Sequence, residues 1–161
     1  MKKNNDKTNV MRVLDAKKIE YISHCYAQTE AISGVEIAAV LGQNPDKVFK
    51  TLVTQGSSKN YFVFMVPVEK ELDLKKAAKS VGEKSIGMIK SKELLPLTGY
   101  IHGGCSPIGM KKQFVTTIHN TASGFDTIIF SAGKIGYQVE LPLDSLKKVV
   151  RINTADIICE E

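Results

Sequence analysis

The sequence contains no tryptophan, and aromatic residues make up only 7% of its 161 residues. A chain so poor in aromatics predicts no stacking platform for single-stranded nucleic acid, so any contact with nucleic acid would be mainly electrostatic. No apolar run approaches the roughly 20 residues that cross a bilayer. The N-terminal stretch MKKNNDKTNVMRVL also lacks the apolar core of a signal peptide. We therefore expect a cytoplasmic protein that does not associate with membranes.

Cysteine and histidine are scarce, and neither type is clustered. Each occurs three times, at widely separated positions: Cys25, Cys105 and Cys159, and His24, His102 and His119. No CxxC pair and no spacing of His and Cys typical of a metal site is present. The sequence therefore predicts no disulfide framework, no metal and no cofactor.

The charge is moderately unbalanced, since 22 Lys and Arg against 17 Asp and Glu give a formal net charge of +5. The hydrophobic fraction of 43% and the charged fraction of 24% are typical of soluble globular proteins. The length fits one domain that spans residues 1–161. The excess of positive charge mildly favours a polyanionic partner, because Lys and Arg that bind phosphates release counterions.

Apolar periodicity and capping residues predict helices and strands in mixed order. A first helix is expected after Asp6 or Thr8, and Asp73 is expected to cap a later helix that Gly82 ends. Further helices are predicted at residues 35–41 and 144–150, with a short segment at 91–95 capped by Ser91 before Pro96; strands are predicted at 20–26, 48–54, 61–66, 100–102, 114–119, 128–131, 137–141 and 156–159. Because these elements do not alternate as βαβ units, we predict an α/β (α+β) fold with a mixed sheet packed with several helices.

Lys50 is the most unusual residue in a predicted strand. It lies within Val48-Phe49-Lys50-Thr51-Leu52, where both faces of the strand are largely apolar. One interpretation is a lysine near a strand end whose stem packs while its ammonium group reaches water. The other is a lysine in a cleft, acting as a base or as a cationic anchor for an anion.

A glycine-rich loop, residues 102–112, follows one of the predicted strands. Gly103 and Gly104 lack side chains, so a ligand could approach the backbone N–H groups, which could stabilise a carbonyl oxygen as negative charge develops on it. The alternative interpretation is a tight turn between two strands.

A second small loop, Ser131-Ala132-Gly133-Lys134-Ile135-Gly136, separates two predicted strands and by itself indicates a hairpin turn. No GxSxG motif is present, and no histidine has a recognisable relationship to Ser131. Cys105 is a candidate thiol nucleophile, but without an identified base it is better interpreted as a loop or packing residue. The chain thus lacks a conventional nucleophile of its own.

Taken together and in this order, these motifs resemble the YbaK/EbsC family of aminoacyl-tRNA deacylases over nearly the whole chain. The motifs that carry the resemblance are Asn44-Pro45-Asp46 before the Lys50 strand, Leu72 to Lys79, Thr98-Gly99-Tyr100, Gly103 to Gly109 with Lys111-Lys112, and Ser131 to Gly136 before Glu140-Leu141. The resemblance implies a compact domain with a barrel-like mixed sheet, related to the editing insertion of bacterial prolyl-tRNA synthetases. It also implies removal of cysteine mischarged on proline tRNA, without a cofactor.

The resemblance further implies which residues form the site. Lys50 corresponds to the catalytic lysine of the family, and Thr51 follows it. The pocket-forming positions correspond to Gly103, Gly104 and Ser131, and an aromatic position to Tyr26. In the mechanism proposed for the family, the thiol of the substrate cysteine attacks its own ester carbonyl and releases a cyclic thiolactone. The expected partners are tRNA(Pro) and, as a candidate, prolyl-tRNA synthetase, with no DNA.

Three positions depart from the family pattern and leave alternatives open. Ser33 stands near a position that is phenylalanine in some members, Gln138 where some have aspartate, and Ile135 where arginine is frequent. Substrate choice could therefore be alanine or serine, which would require an activated water instead of the substrate thiol. A noncatalytic module that binds tRNA or the synthetase is a third possibility, since family membership does not prove activity.

Overall fold

The structure is a computed structural model, and it describes residues 7–27 and 33–160. Its helices are α1 (Asn9–Ala16), α2 (Gly34–Leu41), α3 (Leu74–Val81), α4 (Ser91–Thr98) and α5 (Leu143–Lys147), with short 3-10 turns at Pro45–Lys47 and Asn120–Gly124. Its strands are β1 (Ile22–Cys25), β2 (Phe49–Gly56), β3 (Tyr61–Pro67), β4 (Ile86–Met88), β5 (Val115–His119), β6 (Ile128–Ser131), β7 (Tyr137–Leu141) and β8 (Ile152–Ala155). The predicted mixed α/β fold is confirmed.

The strands form two sheets. A three-stranded antiparallel sheet has the order β1-β7-β6, and a five-stranded mixed sheet has the order β4-β2-β3-β5-β8. In the larger sheet β2 pairs antiparallel with β3 and β4, whereas β5 pairs parallel with β3 and β8. Among the described residues the sheets are not closed into a barrel, so the expectation of a barrel-like sheet is corrected.

The local signals in the sequence are confirmed at several helix ends. Thr8 caps α1, because its hydroxyl oxygen accepts a hydrogen bond from the Met11 N–H; the other candidate, Asp6, lies outside the described residues. Asp73 caps α3 by accepting hydrogen bonds from Lys75 and Lys76. Gly82 ends α3 in the left-handed conformation that glycine adopts without strain.

Three predicted elements are wrong in position or extent. Residues 100–102 form a loop instead of a strand, and this loop is held by a hydrogen bond from the Tyr100 hydroxyl to the Ile108 carbonyl. Helix α4 continues through Pro96 to Thr98, and its N-cap is Lys90, whose N–H donates to Glu93. The last strand is β8, earlier than the predicted 156–159, because residues 152–155 pair with β5.

A large apolar core fills the space between the two sheets and holds them together. Its fully buried members include Val10 and Leu14 of α1, Met65 of β3, Phe130 of β6 and Leu141 of β7. An isolated parallel bridge between Val48 and Ile129 also joins the start of β2 to β6. The position of β2 relative to β6 is therefore fixed, and the candidate site lies where residues of these two strands face each other.

Candidate active site

A cavity of about 240 Å³ is lined by residues from both sheets. Residues 48–52 of the larger sheet form one wall, and Phe130 and Ser131 of the smaller sheet form the facing wall. The Val48–Ile129 bridge joins the two walls at one end. The rest of the lining comes from the segments that close over it: Tyr26, Ser33, Gly34, Ile37, Val68, Leu94, His102, Gly103, Cys105 and Gln138. Five of the six residues predicted for the site thus line one cavity, namely Tyr26, Lys50, Thr51, Gly103 and Ser131.

Strand β2 lines the cavity with consecutive residues, although alternate residues of a strand point to opposite faces. The pairing pattern explains this arrangement. Over residues 49–52, β2 is paired on one side by β3, whereas β4 reaches only Thr54–Gly56. In the described part of the chain one backbone edge of residues 49–52 has no neighbouring strand, and this edge borders the cavity.

Lys50 is a cavity residue with a loosely held ammonium group. Its side chain is 32% exposed, and among the described residues its ionic partner is the Glu71 carboxylate at 3.9 Å. Glu71 itself is 82% exposed, so this ion pair is weak and screened by solvent. The lysine therefore combines both interpretations of the sequence: its stem packs in the cavity wall, and its ammonium group is available to a ligand.

Thr51 carries a buried polar atom that is not satisfied. Its hydroxyl oxygen is inaccessible to solvent and has no hydrogen-bond partner among the described residues. Burying a hydroxyl without a partner costs about 1–3 kcal/mol. A ligand in the cavity can bond to this hydroxyl only if the Thr51 side chain rotates toward it.

The glycine-rich loop reaches the cavity through Gly103 and not through Gly104. Gly103 has a positive φ of 89°, and its N–H makes no hydrogen bond within the described residues. Gly104 is buried behind it, and its N–H donates to the Ile101 carbonyl at 2.9 Å. A Cβ at Gly104 would lie 3.1 Å from the Ile135 nitrogen, so this glycine lets two loops pack closely. Of the two amides, that of Gly103 is the one available to a carbonyl oxygen.

Ser131 and Gln138 form a polar part of the wall on the three-stranded sheet. They are register partners on β6 and β7, so their side chains share one face of the sheet. Ser131 Oγ accepts a hydrogen bond from the Gly133 N–H, which leaves its own O–H to donate. Gln138 is buried, and its Oε1 accepts a hydrogen bond from Gln43 Nε2 at 2.8 Å. A neutral amide pair therefore occupies this wall.

Tyr26 follows β1 and is almost fully buried at the cavity. Its backbone N–H donates to the Gly136 carbonyl at 2.8 Å, which ties the end of β1 to the loop that begins at Ser131. The aromatic ring thus belongs to a wall whose backbone is fixed by the neighbouring loop.

Sequence reasoning gave His102 no role at the site and interpreted Cys105 as a loop or packing residue, yet both line the cavity. Burial raises the pKa of the Cys105 thiol to about 12, so it is protonated at neutral pH and does not serve as a nucleophile. Their position inside the glycine-rich loop was the available signal, because residues next to Gly103 must lie near any ligand that Gly103 contacts.

A charged cluster beside the cavity joins the start of β2 to the smaller sheet. Glu140 of β7 accepts hydrogen bonds from Thr127 and Lys47, and it contacts His24 Nε2 at 2.7 Å. Burial tends to raise the pKa of the Glu140 carboxyl, but the hydrogen bonds from Thr127, His24 and Lys47 outweigh burial and lower it to about 2. The carboxylate is therefore ionised throughout the physiological range and holds Lys47, three residues before Lys50, against β7.

Within residues 7–27 and 33–160, no group of three or more His, Cys, Asp or Glu side chains is arranged to hold a metal ion. No helix in these same ranges is long and apolar enough to cross a membrane.

The sequence is similar to a family of known proteins and to a full-length relative. The family described as the aminoacyl-tRNA editing domain matches residues 29–149. A protein of Enterococcus faecalis, provisionally named Cys-tRNA(Pro)/Cys-tRNA(Cys) deacylase EbsC, is 42% identical, and the match covers 99% of this chain and 98% of that protein.

Two crystal structures have the same fold. One is of a hypothetical protein, with a TM-score of 0.85 and 19% identity over 94% of this chain and 100% of the other. The second is of a provisionally assigned trans-editing enzyme for prolyl tRNA synthetase, with a TM-score of 0.80 and 22% identity over 94% and 97% of the two chains. At these identities the similarity establishes the fold alone. The match to the family and the full-length relative establish more: the chain belongs to the family of aminoacyl-tRNA editing domains.

Proposed function

We propose that this protein is a trans-editing deacylase that removes cysteine from mischarged Cys-tRNA(Pro), with the whole chain acting as one editing domain. The observation that carries the proposal is the cavity that gathers Lys50, Thr51 and Gly103 in a chain 42% identical, over almost its full length, to a protein named as a Cys-tRNA deacylase. Editing of this kind is needed because a synthetic site cannot strongly exclude an amino acid of nearly the same size.

The size of the cavity supports a small aminoacyl group as its occupant. Pockets for drug-sized ligands measure roughly 300–1,000 Å³. At about 240 Å³ this cavity suits one small amino acid and its ester group, while the tRNA stays outside. Its lining combines apolar side chains with the polar residues Ser33, Lys50, Thr51, His102, Ser131 and Gln138.

The chemistry proposed for the cavity uses the substrate's own nucleophile. The cysteine sulfur attacks the ester carbonyl carbon, a C–S bond forms, and the C–O bond to the terminal ribose breaks. The thiol proton ends on the ribose oxygen, so the products are tRNA with a free hydroxyl and a four-membered cysteine thiolactone, which water later opens. This route fits a site in which the cavity thiol, Cys105, is protonated and buried.

The protein's contribution in this scheme is position and charge. Lys50 and Gly103 both line the cavity. In the proposed reaction the Lys50 ammonium group offsets negative charge on the carbonyl oxygen or on the attacking sulfur, and the Gly103 N–H donates to the carbonyl oxygen. Ser131 supplies a hydroxyl that orients the aminoacyl group, Thr51 forms part of the wall beside Lys50, and Tyr26 closes the apolar side. Alignment of an intramolecular nucleophile contributes on the order of 7–11 kcal/mol to barrier lowering in favourable systems.

The proposal also defines partners and location. The substrate is an aminoacyl-tRNA, and the finer expectation is tRNA(Pro), delivered alone or by prolyl-tRNA synthetase. Since aminoacyl-tRNA is made and used in the cytoplasm, we expect the protein to act there.

The test is single-turnover deacylation of tRNA(Pro) charged with cysteine, alanine or serine, using wild type and Lys50→Ala with folding checked by circular dichroism. We expect rapid loss of cysteine by wild type and a loss of at least about 100-fold in rate for Lys50→Ala, within the range for removal of one charge-stabilising group. Lys70→Ala, an exchange of another partly exposed lysine that does not line the cavity, is the matched control.

The other outcomes would each contradict a different part of the proposal. Deacylation of tRNA(Pro) charged with alanine or serine, but not with cysteine, would show that the substrate and the thiol mechanism are both wrong. Binding of the charged tRNAs without turnover would favour a noncatalytic module, and full activity in folded Lys50→Ala would remove Lys50 from the mechanism.

A further inference from the structure

The mouth of the cavity is formed by the turn that contains His102 and Gly103. Both residues line the cavity and are also exposed to solvent. Two large apolar side chains stand beside this turn: Ile101 is 51% exposed and Ile135 is 52% exposed. The nearest Ile135 side-chain carbons lie 3.6 Å from the point that a Gly103 Cβ would occupy. Ile135 therefore lies directly at the mouth, outside the cavity itself.

The loop that presents Ile135 is held from both sides. Within it, the Ala132 N–H donates to Tyr137 and the Tyr137 N–H donates to Lys134. On one flank the Gly136 carbonyl accepts a hydrogen bond from the Tyr26 N–H, and on the other the backbone at Ile135 packs against Gly104. Ile135 therefore presents an apolar surface in a fixed position beside the cavity mouth, where contact with the face of a planar base would bury it.

The proposed substrate places such a base at this position. In aminoacyl-tRNA the amino acid is esterified to the ribose of the 3′-terminal adenosine. If the aminoacyl group fills the cavity, the ribose passes the mouth and the adenine base comes to lie within a few ångströms outside it. The adjacent Lys134 is exposed and supplies a positive charge for the phosphodiester that follows.

Resting on the proposed function, we propose that Ile135, together with Ile101, forms an apolar shelf that binds the 3′-terminal adenine of the tRNA. The shelf supplies affinity for the end common to all tRNAs, whereas the cavity selects the amino acid. It provides an aliphatic contact in a chain that has few aromatic side chains for stacking.

The experiment compares two cysteine esters that differ only in the alcohol: 2′(3′)-O-cysteinyl-adenosine and cysteine ethyl ester. For wild type we expect a higher kcat/KM with the adenosine ester. Ile135→Ser should lower kcat/KM for the adenosine ester about tenfold, the effect of losing most of an aliphatic contact. The same variant should cleave the ethyl ester at the wild-type rate.

Further variants separate the shelf from general damage. Val115→Ser removes a comparably exposed β-branched residue of β5 that does not line the cavity, and it should leave both rates unchanged. Ile135→Leu should restore the preference for the adenosine ester, and Ile101→Ser should reduce it independently. The shelf would be overturned if both serine variants kept the wild-type ratio of kcat/KM for the adenosine ester to kcat/KM for the ethyl ester. An equal fall in kcat/KM for the two esters leaves that ratio unchanged and would also overturn it. Failure of the wild type to cleave either ester would overturn the proposed function and the shelf with it.

Discussion

At the scale of single residues, Lys50 shows what a pattern in the chain can locate. A lysine between apolar neighbours in a strand must either reach water or meet a ligand. The structure places this lysine at the wall of a cavity, where its ion pair with Glu71 is weak. The sequence could not give that partner, because Glu71 comes close to Lys50 only through the path of the chain between β3 and α3.

Replacing Thr51 should affect the free energy of unfolding and the binding of substrate differently. Thr51→Val removes a buried hydroxyl that has no partner, so the free energy of unfolding should stay the same or rise slightly. If the hydroxyl binds substrate, KM for Cys-tRNA(Pro) should rise about fivefold, the effect of losing one hydrogen bond of about 1 kcal/mol.

Chemical denaturation and steady-state kinetics measure the two effects. Thr54→Val is the matched control, because the Thr54 hydroxyl already donates to the Phe62 carbonyl, and this variant should lose stability. A Thr51→Val protein with unchanged KM would argue against a role for the hydroxyl in binding.

At the scale of secondary structure, elements marked by local signals were predicted well, whereas elements that depend on pairing between distant strands were not. Thr8, Asp73 and Gly82 mark helix ends through contacts with residues close in sequence. The loop at 100–102 has the composition of a strand, but it is held by the Tyr100 hydroxyl, which donates to the Ile108 carbonyl. Within residues 7–27 and 33–160 no strand pairs with it. Strand β8 depends on its pairing with β5, about 35 residues away.

The Glu140 cluster gives a prediction about how elements are joined. Glu140→Gln keeps the shape of the side chain but removes the charge that holds Lys47 and Thr127 to β7. We expect a loss of about 1–3 kcal/mol in the free energy of unfolding. We also expect a smaller kcat, since Lys47 fixes the chain just before β2.

Denaturation in urea and single-turnover kinetics would measure these effects. Glu20→Gln, at an exposed position, should change stability by less than about 0.5 kcal/mol.

Because the pKa of Glu140 is lowered, the contribution of Glu140 to the free energy of unfolding should be complete above about pH 4.5 and should fall as the pH approaches 2. An unchanged stability for Glu140→Gln would contradict the role assigned to the cluster.

At the scale of the whole molecule, contacts between residues far apart in sequence attach residues 156–158 to the larger sheet and to α3. The Ile157 N–H donates to Nδ1 of the buried His119, and Lys76 of α3 binds Asp156 and the Ile158 carbonyl. These contacts attach residues 156–158 to β5 and α3. The cavity itself could not be predicted from any single segment, because its lining comes from several separate segments between residues 26 and 138.

His119 makes global stability depend on pH. Burial lowers its pKa below the ordinary 6.5, against the opposing effect of Asp156. The folded state therefore binds fewer protons than the unfolded state. The free energy of unfolding should be highest above pH 6.5 and should decrease as the pH falls through the lowered pKa.

Urea denaturation between pH 7.5 and 5.5 would reveal this dependence. His119→Gln should be less stable at pH 7.5 but show a flatter profile, whereas His102→Gln, at an exposed position, should retain the wild-type slope. The same slope in His119→Gln would assign the pH dependence to another group.

The protonated state of Cys105 has a consequence for cells under oxidative stress. Peroxides and alkylating agents react with thiolates, and a thiol with a pKa of about 12 is almost never in that form. Cys25 and Cys159 are exposed and free, so they would be modified first, and neither lines the cavity. The deacylase should therefore stay active in conditions that inactivate enzymes with a catalytic cysteine. The thiol that oxidation would remove from the reaction is that of the substrate cysteine.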